Sequence, residues 1–270
     1  MPELPEVETV VRGLRKRVEG SRILKVKVFR ETPLSVKADV FENALAGQQI
    51  RVIRRRAKYL LFELDRHILL GHLRMTGKFV VTHPDVAQGP YHRVWFYLEP
   101  EALLVYEDVR CLGTLELLTP EETKKKLEKL GPEPLAETFT SLELFQQCQR
   151  SVRPIKVFLL DQRHIAGIGN IYASEILFAS GLNPERPAHR ISKKECQKMY
   201  EAMRRILQDS IDHHVTSVSD FRRVDDKTGE FQNFLNVYDK TNQLCRICHT
   251  PIQRMVQQQR STFFCPTCQP

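Results

Sequence analysis

The sequence predicts an α+β protein with an N-terminal β-sandwich, flanking helices, a helical C-terminal part and a zinc-bound β-hairpin. Three observations predict this order. Short β-prone runs with alternating burial patterns fill residues 23–118. Helical periodicity dominates from about residue 154. Two Cys-x-x-Cys pairs lie within the last twenty-six residues, and 270 residues suffice for two domains with a small metal module.

The first eight residues contain a candidate nucleophile ahead of a helix. Pro5 suits the first helical position, apolar residues then recur at helical spacing, and Gly20 ends the run. Removal of Met1 would expose Pro2 as a secondary amine, which can attack a sugar aldehyde carbon and form a positively charged iminium. Glu3 could carry protons, and the positive end of the helix would disfavour the protonated amine. The alternative interpretation is a disordered leader with two prolines.

The middle of the chain changes from strands to helices. Strands are predicted in β-prone runs that include 23–29, 59–64 and 94–98. A helix over about 37–46 interrupts them. A boundary and linker follow, predicted from Pro120, Gly131, Pro132 and Pro134.

Three helices are predicted beyond this linker. Pro154 begins one helix, residues 171–179 form another, and Ser192 with Glu195 forms a capping box that begins the third. The segment Gly167-Ile168-Gly169-Asn170 places glycines directly ahead of a helix N-terminus. Backbone N–H groups in such a segment can bind a phosphate.

Four cysteines have the spacing of a four-thiolate zinc site: Cys245, Cys248, Cys265 and Cys268. Sixteen residues separate the two Cys-x-x-Cys pairs. Because four thiolates leave no open position for a substrate, the single zinc ion is expected to be structural. Arg260 and a β-prone run lie between the pairs, which predicts a zinc-bound hairpin that presents Arg260.

The composition favours a soluble protein that binds a polyanion. The net charge of +8 and the pI near 9.2 suit nucleic acid. The three cysteines outside the zinc motif are scattered, as free thiols in a reducing cytoplasm are. No apolar run reaches membrane length, and the basic-then-apolar order of a signal peptide is missing. We therefore expect a cytoplasmic monomer that does not bind membranes.

Three segments in the same order resemble the bacterial formamidopyrimidine-DNA glycosylase family: MPELPEVETV, GIGNIYASEILFASGLNP and QRSTFFCPTC. The resemblance runs nearly end to end, and it implies a helix–two-turn–helix element in the helical part. It also implies four segments: a β-sandwich catalytic domain at 1–131, a linker and first helix at 132–149, a helix–two-turn–helix domain with a lesion loop at 150–235, and a zinc finger at 236–270.

This resemblance implies an enzyme of base excision repair whose partner is damaged double-stranded DNA. The expected activity removes 8-oxoguanine and formamidopyrimidines and then cleaves the strand by β,δ-elimination through a Schiff base at Pro2. The opening PELPEVET favours this branch over the related endonuclease VIII branch, in which a glycine follows the first Pro-Glu.

The resemblance also implies roles for individual residues. Matches to catalytic residues are Pro2, Glu3, Lys58 and Arg260. Contacts to DNA are implied for His72, His92, Arg110, Lys156, Asn170 and Tyr238. The side chains that fill the space left by a flipped base match Met75, Arg110 and Leu112. The stretch 215–232 resembles the loop that closes over the lesion, with Thr216, Ser217 and Val218. The arginines near Lys58 have a simpler interpretation as the charged edge of a sheet.

Two departures from the family bear on specificity. Leu112 stands where the family commonly has phenylalanine, and Asp239 follows Tyr238 where glycine is usual. The smaller wedge leaves the ranking of lesions and the opposite-base preference undetermined by the sequence. Two alternatives follow: a glycosylase for oxidised pyrimidines, or a damage-binding relative without turnover. A zinc-ribbon protein that only binds nucleic acid is a third, which the intact Pro2-Glu3 start disfavours.

Overall fold

The computed structural model describes residues 1–212 and 235–270, which divide into two compact units. The first unit covers residues 1–129, and the second comprises the described residues from 130 onward. The second unit therefore contains both the C-terminal helices and the cysteine-rich hairpin. The predicted division of this part into 132–149, 150–235 and 236–270 stays a prediction.

The first unit is built mainly from strands. It begins with helix α1 (Leu4–Val18), strand β1 (Ile23–Val28) and helix α2 (Ala38–Leu45). Seven strands and one helix follow: β2 (Ile50–Arg56), β3 (Tyr59–Leu64), β4 (Ile68–His72), β5 (Gly77–Thr82), β6 (His92–Leu98), β7 (Ala102–Asp108), β8 (Thr114–Leu118) and α3 (Pro120–Leu127).

These strands form two antiparallel four-stranded sheets, in the orders β1-β6-β7-β5 and β2-β3-β4-β8. Apolar side chains from both sheets and from α1 share one core, which includes Leu14, Phe62, Phe79 and Phe96. Burial of these large side chains is the main favourable free-energy term for such a core. The predicted β-sandwich is confirmed.

Helix α1 begins one residue earlier than predicted. Leu4 occupies its first position and Pro5 its second, where a missing N–H is still tolerated because the first turn has no intrahelical acceptor. Gly20 follows the helix with φ at +88°, and its N–H donates to the carbonyl oxygen of Ile50 at 2.7 Å. This left-handed residue turns the chain from α1 into the sheet.

Pro120 begins a helix rather than the predicted linker. Thr119 caps α3: the Glu122 N–H donates to Thr119 Oγ1 at 3.2 Å, and the Thr119 N–H donates to Glu122 Oε2 at 2.8 Å. This reciprocal capping box satisfies two N–H groups at the helix start, and proline at the first position costs no hydrogen bond. The linker prediction took Pro120 as a helix breaker and did not consider Thr119 as a helix cap.

The second unit contains four α-helices and one hairpin among its described residues: α4 (Ser141–Gln149), α5 (Ile155–Leu160), α6 (Asn170–Ser180), α7 (Lys193–Asp212), β9 (Gln253–Gln257) and β10 (Arg260–Phe264). The predicted capping box at α7 is present, since the Ser192 N–H donates to Glu195 Oε2 at 2.9 Å. Helix α6 ends at Gly181, whose φ is +70°.

The hairpin packs against α6 within the second unit. Phe178 of α6 shares a small apolar cluster with Val237, Ile252 and Phe263.

Among the residues the structure describes, none of the helices has the length and apolar character to cross a bilayer.

Candidate active site and nucleic-acid interface

The predicted nucleophile lies in a buried site at the start of α1. Pro2 is buried, and Glu3 and Glu6 are only 2% and 0% exposed. The Glu3 N–H donates to Glu6 Oε2 at 2.7 Å. The N–H groups of the first helical turn stabilise carboxylates in this position. The helix start thus holds two carboxyl groups around the residue that removal of Met1 would leave as the terminal amine.

Burial changes the proton affinity of this end of the chain. It lowers the pKa of the terminal amine, carried here by Met1, below its ordinary value of 8.0. The carboxylates of Glu3 and Glu6 oppose this change, and the charge of Lys58 adds to it. Burial disfavours the charged form of an amine, so more of the amine is neutral at a given pH. A neutral amine is the form that can attack carbon.

Lys58 lies in the turn between β2 and β3, and its side chain is only 5% exposed. The preceding residue, Ala57, has φ at +53°, a conformation that non-glycine residues seldom adopt. Such strain persists where the surrounding structure fixes it, and it is common at functional sites. Its charge contributes to the lowered pKa of the Met1 amine, one residue ahead of the predicted nucleophile Pro2.

The arginines before Lys58 have structural partners. The ion pairs are Arg51–Asp65 at 2.6 Å, Arg54–Glu63 at 3.0 Å and Arg55–Glu8 at 2.9 Å. Strand β2 is the outermost strand of its sheet. These contacts agree with the simpler interpretation of the basic cluster, a charged sheet edge.

Two histidines were predicted to contact DNA, and their surroundings differ. Burial lowers the pKa of His72 to about 3, and the charges of Arg74 and Lys58 act in the same direction. Its Nδ1 accepts the Arg74 N–H at 3.1 Å, so Nε2 carries the proton of the neutral ring. A neutral His72 can donate one hydrogen bond to an anion near neutral pH.

His92 is engaged by its own neighbours. Its Nδ1 accepts from Trp95 Nε1 at 2.9 Å and from the Gly89 N–H at 3.2 Å, and its Nε2 lies 3.5 Å from Glu107 Oε1. Its side chain is only 11% exposed. These contacts favour a structural role in the sheet over a contact to DNA.

The three predicted wedge residues are exposed on two loops of the first unit. Met75 lies between β4 and β5, and Arg110 and Leu112 lie between β7 and β8. Met75 is 45% exposed and Leu112 is 46% exposed. Their exposure leaves both side chains available to contact a ligand.

In the second unit, Lys156 is a fully buried ammonium with several partners. Its Nζ donates to Asn170 Oδ1 at 2.8 Å, to the Ser261 carbonyl oxygen at 2.9 Å and to Thr262 Oγ1 at 2.7 Å. Asn170 Nδ2 donates to the same Ser261 oxygen at 2.9 Å. Lys156 therefore joins α5, the start of α6 and strand β10, and it fixes the strand on which Arg260 lies.

The four predicted metal ligands converge in the second unit. The Sγ atoms of Cys245, Cys248, Cys265 and Cys268 all lie within 4.8 Å of one another. Four thiolates at this separation fit a tetrahedral zinc ion and leave no site for a further ligand. The exposed Arg260 begins β10, directly after Gln258 and Gln259, whose φ values are +45° and +60°. The metal cluster thus holds a tight hairpin whose turn presents Arg260.

Glu175 is a functional candidate that the sequence did not reveal. This buried carboxylate of α6 accepts the backbone N–H groups of Asn236, Val237 and Tyr238, each at 2.9 Å. It thereby orients the segment that carries Tyr238. The next residue, Asp239, has φ at +59°, a region that aspartate tolerates better than most residues. This conformation explains why Asp239 can stand where the family usually has glycine.

The predicted lesion-loop residues Thr216, Ser217 and Val218 lie outside the described residues. The remaining predicted residues fall into two groups by unit. Pro2, Glu3, Lys58, His72, His92, Met75, Arg110 and Leu112 belong to the first unit, and Lys156, Asn170, Tyr238, Arg260 and the four cysteines belong to the second.

Comparison with known proteins gives three family matches along the chain. The formamidopyrimidine-DNA glycosylase N-terminal domain matches residues 1–115, and the formamidopyrimidine-DNA glycosylase H2TH domain matches residues 130–222. The zinc finger found in FPG and IleRS matches residues 242–270. The formamidopyrimidine-DNA glycosylase of Streptococcus mutans is 39% identical over 273 residues, which cover 100% of this chain and 99% of the relative. This chain belongs to the formamidopyrimidine-DNA glycosylase family.

Solved structures of the family agree with this assignment. The crystal structure of the Lactococcus lactis FPG (MutM) protein with a FAPY-dG containing DNA is 34% identical, with a TM-score of 0.92 and 99% of each chain covered. A MutM protein in complex with carbocyclic 8-oxo-G containing DNA is also 34% identical, with a TM-score of 0.93 and the same coverage. The fold and the zinc-finger assignment of this family member are thereby confirmed.

Proposed function

We propose that this enzyme removes oxidised purines, 8-oxoguanine and formamidopyrimidines, from duplex DNA in base excision repair and then cleaves the strand. The observation that carries the proposal is the full-length similarity to formamidopyrimidine-DNA glycosylases, including solved complexes with FAPY-dG and 8-oxo-G DNA. The buried start of α1 and the net charge of +8 support it. The enzyme acts as a monomer in the bacterial cytoplasm, where DNA keeps it at the nucleoid.

Pro2 carries the covalent step in this proposal. After removal of Met1, its nitrogen bonds to the sugar C1′ while the bond from C1′ to the base breaks, and the base leaves with the electron pair and a proton. The proton that the Pro2 nitrogen loses is the one that the base takes up. The C1′–O4′ bond then breaks as the nitrogen lone pair forms the iminium, and Glu3 protonates O4′. Burial lowers the pKa of the terminal amine at Met1, and Pro2, which would carry that amine after Met1 is removed, is itself buried.

Two eliminations then release the sugar. The iminium acidifies the neighbouring C2′–H bond, and loss of that proton expels the 3′ phosphate. Loss of the C4′ proton then drives a second elimination that expels the 5′ phosphate. Addition of water to the iminium releases the sugar remnant as an aldehyde and frees Pro2. Lys58 assists the first cleavage and Arg260 the second, because an ammonium or guanidinium stabilises a departing phosphate.

The remaining side chains bind and open the duplex. Neutral His72, Asn170 and Tyr238 contact the phosphate backbone, Arg110 enters the space of the flipped base, and Lys156 acts by holding Asn170 and the hairpin strand. Met75 and Leu112 enter the space that the flipped base vacates. Zinc, bound by the four cysteines, stabilises the hairpin and takes no part in bond breaking.

A panel of duplexes with one lesion each tests the substrate class. We expect excision and strand cleavage with 8-oxoguanine and formamidopyrimidine, and a covalent adduct when borohydride reduces the iminium. Faster excision of oxidised pyrimidines would support the endonuclease VIII-like alternative instead. Binding without excision of any lesion in the panel would indicate a damage-binding protein without turnover.

Substitution of Arg260 tests the role of the hairpin. We expect Arg260→Ala to weaken binding to lesion DNA by about 10- to 100-fold, since a charge-assisted contact contributes about 1.5–3 kcal/mol. Fluorescence anisotropy titration measures the affinity, and gel analysis of the cleaved ends reports the second elimination. Arg17→Ala, an exposed arginine in the last turn of α1, removes the same charge and is the matched control. Equal effects of both substitutions would show that only net charge matters.

A further inference from the structure

The two loops that carry the wedge residues are adjacent in the first unit. We define the wedge loops as residues 73–76, between β4 and β5, and 109–113, between β7 and β8. Strands β5 and β7 pair with Gly77 opposite Asp108. The first loop therefore ends where the second begins, and a side chain at this point can reach both.

Asp108 is that side chain. It is fully buried, and its carboxylate accepts hydrogen bonds from both wedge loops. Oδ1 accepts the Thr76 hydroxyl and, at 3.2 Å, the Arg110 N–H, which also donates to Thr76 Oγ1 at 3.0 Å. Oδ2 accepts the Gly113 N–H at 2.8 Å. A buried carboxylate is stable only when its oxygens are satisfied in this way, and hydrogen bonds to an ionised acceptor are stronger than neutral ones.

The backbone beneath the loops is fixed as well. The Asp108 carbonyl oxygen accepts the Arg93 Nε–H at 2.8 Å. The hydroxyl of Tyr106 fills the space beneath the two glycines, because a Cβ atom would lie 1.9 Å from it at Gly113 and 2.6 Å from it at Gly77. The bases of the two loops thus pack against buried Tyr106, while Met75 and Leu112 at the loop tips stay exposed.

We propose that Asp108 is a positioning residue that joins the two wedge loops into one preformed unit, so that Met75 and Leu112 enter the duplex together. The proposal rests on the wedge role assigned above and adds to it the residue that couples the loops. Ordering loops only after contact would cost conformational entropy at the moment of base extrusion. Hydrogen bonds formed in advance avoid that cost.

Loss of this role is expected to affect base excision and abasic-site cleavage differently. A damaged base must be pushed out of the stack before it is excised, whereas an abasic site has no base to extrude. We expect Asp108→Asn and Thr76→Val to slow single-turnover excision of 8-oxoguanine by between about 10- and 100-fold, the scale for a displaced functional group. Cleavage of a duplex with a preformed abasic site should stay close to the wild-type rate.

Matched variants distinguish positioning from loss of fold. Thr76→Ser keeps the hydroxyl and should restore excision, and Asp85→Asn makes the same chemical change at a side chain that is 89% exposed. A 2-aminopurine base beside the lesion reports unstacking by its fluorescence, which should rise more slowly in Thr76→Val. If Asp108→Asn fails to fold, Thr76→Val alone decides, because the Thr76 hydroxyl holds the Asp108 carboxylate and the Arg110 N–H in one network. Equal losses in excision and abasic-site cleavage, or wild-type excision by Thr76→Val, would overturn the role of Asp108.

Failure of the wedge assignment would have a different pattern. Met75→Ala and Leu112→Ala should each slow excision if these side chains enter the duplex. Normal excision by both would refute the wedge role, and the role of Asp108 with it. Slow excision by both, together with normal excision by Thr76→Val, would refute only the coupling of the loops.

Discussion

A variant with extra residues ahead of Pro2 is expected to form no borohydride-stable adduct with lesion DNA. Acylation of the Pro2 nitrogen removes the lone pair that must bond to C1′, so neither the iminium nor the eliminations can follow. We expect strand cleavage to fall by at least about 1,000-fold, as in enzymes that lose a covalent nucleophile. Denaturing electrophoresis of labelled duplex measures both the adduct and the cleaved strand.

The same residues added after Pro270 are the matched control, because they change length and composition equally and leave the Pro2 amine exposed. The C-terminally extended variant should form the borohydride-stable adduct with lesion DNA to the same extent as the unmodified enzyme. Undiminished trapping by the N-terminal extension would reject Pro2 as the nucleophile and direct attention to Lys58, a buried amine whose charge acts on the terminal amine. Peptide mapping of the adduct would then identify the attacking residue.

Loss of one cysteine of the metal cluster is the second change with a large expected effect. Cys265→Ser should release zinc, since structural sites contribute about 10–16 kcal/mol of folding free energy in isolated zinc-finger peptides. Without zinc the hairpin loses the geometry that presents Arg260, and Lys156 loses its Ser261 and Thr262 partners. We expect DNA affinity to fall by at least about 100-fold, as charge-assisted contacts are lost together.

Elemental analysis of zinc and anisotropy titration with lesion DNA measure this effect. Cys196→Ala is the control, because Cys196 is a buried thiol of the second unit that lies outside the cluster. It should retain zinc and nearly all of its affinity. Wild-type affinity in a zinc-free Cys265→Ser protein would show that the metal does not organise the DNA-binding hairpin.

Local sequence signals predicted much of the fold. The cysteine spacing predicted the zinc cluster because each Cys-x-x-Cys pair places two thiolates side by side through local structure alone. The capping box at Ser192 was readable for the same reason, since both partners lie within one helical turn. The linker predicted at Pro120 is a helix, because Thr119 caps the helix start and proline is tolerated at the first helical position.

Long-range contacts were not predictable in this way. Thr76 and Asp108 are 32 positions apart, Glu175 and Asn236 are 61 apart, and Lys156 and Thr262 are 106 apart. Each pair forms only when strands or helices distant in sequence pack together, and nothing in either local segment indicates its partner. The resemblance implied that Lys156 contacts DNA, whereas the structure shows three acceptors for its ammonium inside the second unit.

The enclosed ammonium of Lys156 has a consequence for how this protein can change over evolutionary time. A mutation that removes the Thr262 hydroxyl leaves the buried Lys156 ammonium with one acceptor fewer, and one that removes Lys156 leaves its acceptors without that donor. The residue at position 156 therefore limits which residues are tolerated at position 262, and the reverse also holds. Substitutions in helix α5 and in the metal-bound hairpin are therefore expected to be coupled, and loss of the hairpin would destabilise the protein less after replacement of Lys156.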